Sequence, residues 1–336
     1  MATLSTTTRP TLRIPPRWVH YLALVTICAT FPLLTLGAEV TTKKAGMADE
    51  VGFRAPWHLL TVWLEGNPRV QEVNYVVEHS HRIVGFVVGI CAIALALAMW
   101  FDRSRNRVRW LGLAALLAVI FQGVLGIIRV NYNLQLGPAT ALIHGCTAQL
   151  VFLVLLSTAV VTSRTWEQVG ESAAGQSCRK NSVLSVLMLT AIYGQMILGA
   201  FVRHGDSVIA FKWHILFAFV IVSLGVWLLV NWLSQSSITR AERIVGIVLA
   251  VVLLLQIYLG LESALSKYIV SNPWTGREFG AIGSNGYAGS LTRSLHYVTG
   301  TLLFGTTFII GMFALRRRYI SLKQQQSVES APGVNS

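Results

Sequence analysis

Apolar stretches of about 18–25 residues recur along the whole chain, and a run of that length can cross the hydrocarbon core of a bilayer as a helix. Eight can be bounded, at roughly 18–38, 80–100, 110–130, 141–162, 183–203, 211–233, 244–265 and 292–315. Lipid offers backbone N–H and C=O groups no partner, and these runs lack the two-residue alternation of barrel strands, so each is expected to be helical. Charged residues make up 12% of the sequence, about half the share of a soluble domain. The expected fold class is an all-α membrane protein of eight transmembrane helices. Arg9, Arg13 and Arg17 before the first run resemble a secretion signal. That run holds about 20 apolar residues and no A-x-A cleavage site, so it reads as a span.

The basic residues orient the spans. With both termini on one side, that side holds 16 Lys and Arg against five acids, and the other side 11 against nine. Basic loops stay inside, which places both termini in the cytoplasm of a cell-membrane protein. The net charge of +13 is thereby explained by topology and is no nucleic-acid footprint. Of Cys28, Cys91, Cys146 and Cys178, three fall in spans and one in a cytoplasmic loop, and no C-x-x-C occurs. Neither a disulfide framework nor a zinc site is supported.

An internal repeat sets the architecture. QGVLG (122–126), QMILG (195–199) and QIYLG (256–260) end the third, fifth and seventh spans, and LLTLG (33–37) ends the first without the glutamine. Each is followed by a loop and then by a helix with a histidine near its start: His81, His144, His214 and His296. Four such hairpins predict two pseudo-symmetric four-helix bundles, 18–162 and 183–315, related by an approximate two-fold. The rest divides into a cytoplasmic tail (1–17), a cytoplasmic linker (163–182) and a second cytoplasmic tail (316–336). The Leu-Gly pairs fit close helix packing and the glutamines fit bonding across helices.

Four histidines at one depth, one on each even-numbered span, form a layer near the external face. Two per bundle can oppose each other and ligate a metal or haem iron on both faces, or else serve a proton relay. Two histidines without cysteine or clustered carboxylates leave zinc short of ligands. His20, His58, His79 and His204 are expected at surfaces or interfaces.

The segment VVEHSHRIVG (76–85) adds an acid to the first bundle. Glu78 and His81 share a face if the helix begins before 78, and Glu78 and Arg82 stand at i, i+4, close enough for an ion pair that keeps the carboxylate charged. No glutamate stands at the corresponding places near His214 or His296. Arg82, Arg129, Arg203, Lys212 and Arg293 lie near outer helix ends, able to pair with carboxylates or to snorkel to the interface.

Glu78, His81 and Arg82 as E-x-x-H-R, followed by single histidines on the next three even spans, resemble the haem A synthases over roughly 18–315. The resemblance implies oxidation of the C8 methyl of haem O to a formyl group, giving haem A for terminal oxidases. It implies that His81 and His144 flank the substrate haem O, that His214 and His296 ligate the iron of a haem b cofactor, and that Glu78, with Arg82, is catalytic. It makes a haem O synthase a candidate partner and names no electron acceptor. Many bacterial members carry cysteine pairs in outer loops, whereas 39–77 and 266–290 here contain none, marking either a branch of the family whose outer loops are cysteine-free or a relative with altered chemistry. Other functions consistent with these residues are a di-haem b electron-transfer cytochrome and a haem-handling transporter. Glu78 discriminates against the first, because a pure carrier needs no carboxylate in one bundle only.

Overall fold

The computed structural model describes residues 16–43, 45–46, 61, 64, 66, 72–102, 106–171, 177–205, 207–268 and 287–329. The long helical elements are α1 (Arg17–Thr42), α2 (Val73–Phe101), α3 (Asn106–Leu136), α4 (Pro138–Thr162), α5 (Arg164–Glu171), α6 (Ser177–Gly205), α7 (Val208–Leu233), α8 (Arg240–Tyr268) and α9 (Tyr287–Glu329). No strand occurs among the described residues. All but α5 are long and apolar enough to cross a membrane, so the chain is a multi-pass membrane protein with the eight expected spans.

Three boundaries differ from the sequence reading. Helix α2 begins at Val73 rather than at 80, so Glu78 lies inside it together with His81 and Arg82. The 163–182 linker contains the short helix α5 and the first turn of α6. Helix α9 continues through 316 to Glu329, because its polar extension has partners. Arg317 donates from Nε to Glu242 Oε1 at 2.9 Å and from Nη2 to Glu242 Oε2 at 2.8 Å. Both side chains are almost wholly buried. Glu242 also accepts from the Thr239 N–H at 2.8 Å, while Thr239 Oγ1 accepts from the Glu242 N–H at 3.2 Å. This reciprocal cap starts α8.

The hairpin turns are short where the sequence permits. Gly137 joins α3 to α4 with φ 58° and ψ −147°, a backbone region essentially confined to glycine, and Pro138 follows as the first helical residue. Ser207 caps α7, its Oγ accepting from the Ala210 N–H at 3.2 Å. Inside the apolar helices, hydroxyls bond back to carbonyls one turn earlier, as Thr26 does to Leu22 and Thr307 to Leu303.

Helices α1, α2, α3 and α4 pack each against the next, and α4 packs on α1; α6, α7, α8 and α9 repeat the same closed order. Between the two sets, α1 lies on α9, α6 on α4, and α4 on α9. Exchanging the sets maps these contacts onto one another, a pattern consistent with two bundles about a two-fold. Small residues allow the close approaches: a Cβ on Gly305 of α9 would lie 2.9 Å from the Phe152 ring of α4. Phe152, Leu155, Leu303 and Phe304 belong to the common buried core.

Candidate functional site

The repeated Leu-Gly has a specific use at each histidine. A Cβ on Gly37 would meet His81 Cε1 at 2.9 Å, one on Gly126 would meet His144 Cε1 at 3.4 Å, one on Gly199 would meet His214 Cε1 at 3.1 Å, and one on Gly260 would meet His296 Cε1 at 3.0 Å. Each hairpin therefore brings its own glycine under its own imidazole. The histidines sit within the first ten residues of α2, α4, α7 and α9, all at the same end of the helix assembly. Close packing is part of the motif's role, and what packs there is the ring.

The residue four before each glycine fixes the histidine helix. Gln122 Nε2 donates to His144 O at 2.9 Å and lies 3.1 Å from His144 Nδ1. Gln195 Nε2 donates to His214 O at 2.7 Å, and Gln256 Nε2 lies 3.4 Å from His296 Nε2. Leu33 replaces the glutamine in the first hairpin, and its backbone oxygen takes over at 3.1 Å from His81 Nδ1. A donor contact there leaves Nε2 of His81 for another partner.

In the second set of helices, the rings of His214 and His296 stand 6.3 Å apart between centroids, at 76° to one another. Two metal–imidazole bonds of about 2 Å each, plus half of each ring, span about this distance. Each of these rings also leaves a buried nitrogen, Nδ1, without a hydrogen-bond partner. An unsatisfied buried nitrogen costs free energy unless a ligand meets it, so the pair fits a haem iron that the two imidazoles would hold between them. No group of three or more His, Cys, Asp or Glu side chains able to hold a metal ion occurs among the described residues, which disfavours a bare ion.

The first set adds charge. Glu78 is buried, and Arg82 Nη2 donates to its Oε1 at 2.7 Å, the i, i+4 pair expected from sequence. Three residues before the other histidines stand Ala141, Phe211 and Arg293, so no second carboxylate takes this place. Arg203 of α6 donates to Ala38 O and Thr42 Oγ1 of α1, which ties the two sets together.

The remaining histidines divide. His20 is half-buried, with Nδ1 3.1 Å from Thr162 Oγ1, and His204 occupies the last turn of α6 rather than a free turn. His58 lies outside the described residues. His79 contradicts its expected surface position: it is 0% exposed and stacks on Tyr75, ring centroids 5.5 Å apart at 11°. The Tyr75–His79 spacing of i, i+4 was the available signal. Sequence reasoning also missed Gln149 of α4, whose Nε2 donates to the Tyr297 hydroxyl of α9 at 2.6 Å. Tyr297 follows His296 directly, so this bond links a histidine helix of one set to a histidine helix of the other. A glutamine in mid-span was its only trace in the sequence.

Residues 65–214 match the model of a family described as "Cytochrome oxidase assembly protein". A relative from Alkalihalophilus pseudofirmus named "Heme A synthase" is 29% identical over 189 residues, covering 56% of this chain and 60% of the relative. Another of that name from Halalkalibacterium halodurans is 28% identical over 180 residues, covering 53% of this chain and 57% of the relative. The matched stretches thus span less than two thirds of either relative's length. Residues 65–214, which hold Glu78, His81, Arg82, His144 and His214, are thus the part of the chain similar to this cytochrome oxidase assembly family, and the two relatives carry the name heme A synthase.

Proposed function

We propose that the chain is a haem A synthase, an oxidoreductase that converts the C8 methyl of haem O to a formyl group. The observation that carries the reading is the asymmetry between two similar histidine pairs: among the described residues only one has a buried carboxylate beside it, Glu78 held by Arg82. His81 and His144 hold the substrate haem O in the first bundle (18–162), and His214 and His296 hold haem b in the second (183–315). When bound, haem b supplies one-electron redox capacity. Both termini lie in the cytoplasm, and the histidine layer lies near the opposite membrane face.

The residues divide the work. His81 and His144 fix the substrate's depth and tilt, with Gly37 and Gly126 leaving room for their rings. With water as the oxygen source, conversion of –CH3 to –CHO releases four protons and passes four electrons to an external electron acceptor, and each removal of a hydride equivalent leaves the carbon electron-poor in the transition state. Glu78 places negative charge where that positive charge develops, and in a site shielded from water such a charge stabilises strongly. Arg82 holds the carboxylate in one rotamer through its 2.7 Å bond, so that little reorganisation is needed.

Co-expression with a haem O synthase tests the proposal directly. Haem A, or its alcohol precursor, is expected among pigments extracted from the purified protein. Haem b alone, with haem O left unchanged in the membranes, would overturn the synthase reading in favour of an electron carrier.

A further inference from the structure

The basic side chains at the histidine end differ in what occupies them. Arg82 is held by Glu78, and Arg203 is bonded to α1, with its guanidinium 5.5 Å from the Tyr297 ring centroid. Lys212 is exposed, and Arg293 lies within electrostatic reach of Glu39. Arg129 of α3 is different. It is half-buried and has neither a hydrogen bond nor an ion pair among the described residues.

Its position is inside the first set of helices. Arg129 stands three residues after Gly126, the glycine beneath His144. Its Nη2 would lie 3.6 Å from a Cβ on Gly46, just beyond the end of α1. Its charge is close enough to act on Glu78, His81 and His144. Glu78 is already bonded to Arg82, so two guanidiniums share one carboxylate. The surplus positive charge lies in a membrane-spanning segment, where an uncompensated charge is costly. A second carboxylate would offset it, and a guanidinium fork matches a carboxylate with two parallel hydrogen bonds.

We propose that Arg129 is the anion anchor of the first histidine pair, receiving a carboxylate of the acidic tetrapyrrole held by His81 and His144. This rests on the reading of that pair as the substrate site. It adds a polarity to that reading: the substrate enters with one acidic edge directed at α3, which fixes the edge offered to Glu78. Arg129 is thus a positioning residue rather than a catalytic one.

The test compares protohaem with its dimethyl ester, in which the carboxylates are neutralised. Each is titrated into purified protein that already carries haem at His214 and His296, and binding is read from absorption changes lost in His81→Ala. The wild-type chain is expected to bind the diacid more tightly than the ester by on the order of 10- to 100-fold. Arg129→Gln should remove most of that preference, and Arg129→Lys should reduce it while keeping a remainder. Equal binding of acid and ester by the wild type, or a full preference in Arg129→Gln, overturns the proposal; either result would leave Arg129 as a residue that only snorkels or meets a lipid headgroup. The unchanged spectrum of the haem at His214 and His296 certifies folding. Should Arg129→Gln lose it, Arg129→Lys decides, and an undiminished preference there overturns the fork pairing. Absence of any His81-dependent binding in the wild type would refute the substrate-site reading itself, a result distinct from loss of the acid preference.

Discussion

Gly260 supports the His296 ring at a distance that leaves no room for a side chain, since a Cβ there would come within 3.0 Å of Cε1. The same holds at 2.9 Å for Gly37 under His81 and at 3.1 Å for Gly199 under His214, whereas Gly126 under His144 has 3.4 Å. Alanine should therefore displace the ring at the first three sites and be tolerated at the fourth. Haem spectra of Gly260→Ala and Gly199→Ala should show altered axial ligation, with overpacking costs of about 1–3 kcal/mol in stability. A spectrum unchanged in both would detach the glycines from the ligand geometry.

His214 and His296 are expected to act as a ligand pair for haem b. Replacing either with alanine should abolish or shift the low-spin absorption of that haem while the helices remain assembled. Full retention of the wild-type spectrum in both variants would place the cofactor elsewhere.

Glu78→Gln keeps the size of the side chain and most of its hydrogen bonding but removes its charge. Loss of one such electrostatic group costs about 100-fold or more in rate. Haem A formed per bound haem b should fall by that factor, with the haem at His214 and His296 intact. Near wild-type product per haem b would leave Glu78 as no more than the structural partner of Arg82.

At the opposite end, Arg317→Ala would strand Glu242 without its partner in a site where both side chains are almost wholly buried. Breaking a buried ion pair costs about 3–5 kcal/mol. Thermal unfolding in detergent should show it, and the double variant Arg317→Met/Glu242→Gln should recover much of the loss, since glutamine can still cap Thr239. No recovery would mean that the packing of Arg317, rather than its charge, holds α9 to α8.

What the sequence disclosed follows from distance along the chain. Spans announce themselves by length, Glu78–Arg82 by an i, i+4 spacing, and the histidine layer by a motif that recurs in every hairpin. Gln149–Tyr297 and Glu242–Arg317 join residues 148 and 75 positions apart, where no periodicity connects the partners. His79 was misplaced because neighbouring charge suggests a wet surface, while its stacking on Tyr75 depends on which helix covers that face. The helical extension past 315 was hidden for a related reason: arginines read as a tail until their carboxylates are located.

Because each glycine and the imidazole above it belong to one helix–loop–helix hairpin, the hairpin is a self-contained unit of inheritance. Copying such a segment delivers a histidine together with the space it needs, with no matching change required elsewhere in the chain. Two such hairpins side by side bring two rings together, as His214 and His296 show, so repeating the unit is enough to make a pair of imidazoles. The four hairpins share the ring and its glycine and differ around them, as the carboxylate present at 78 and absent from 141, 211 and 293 shows.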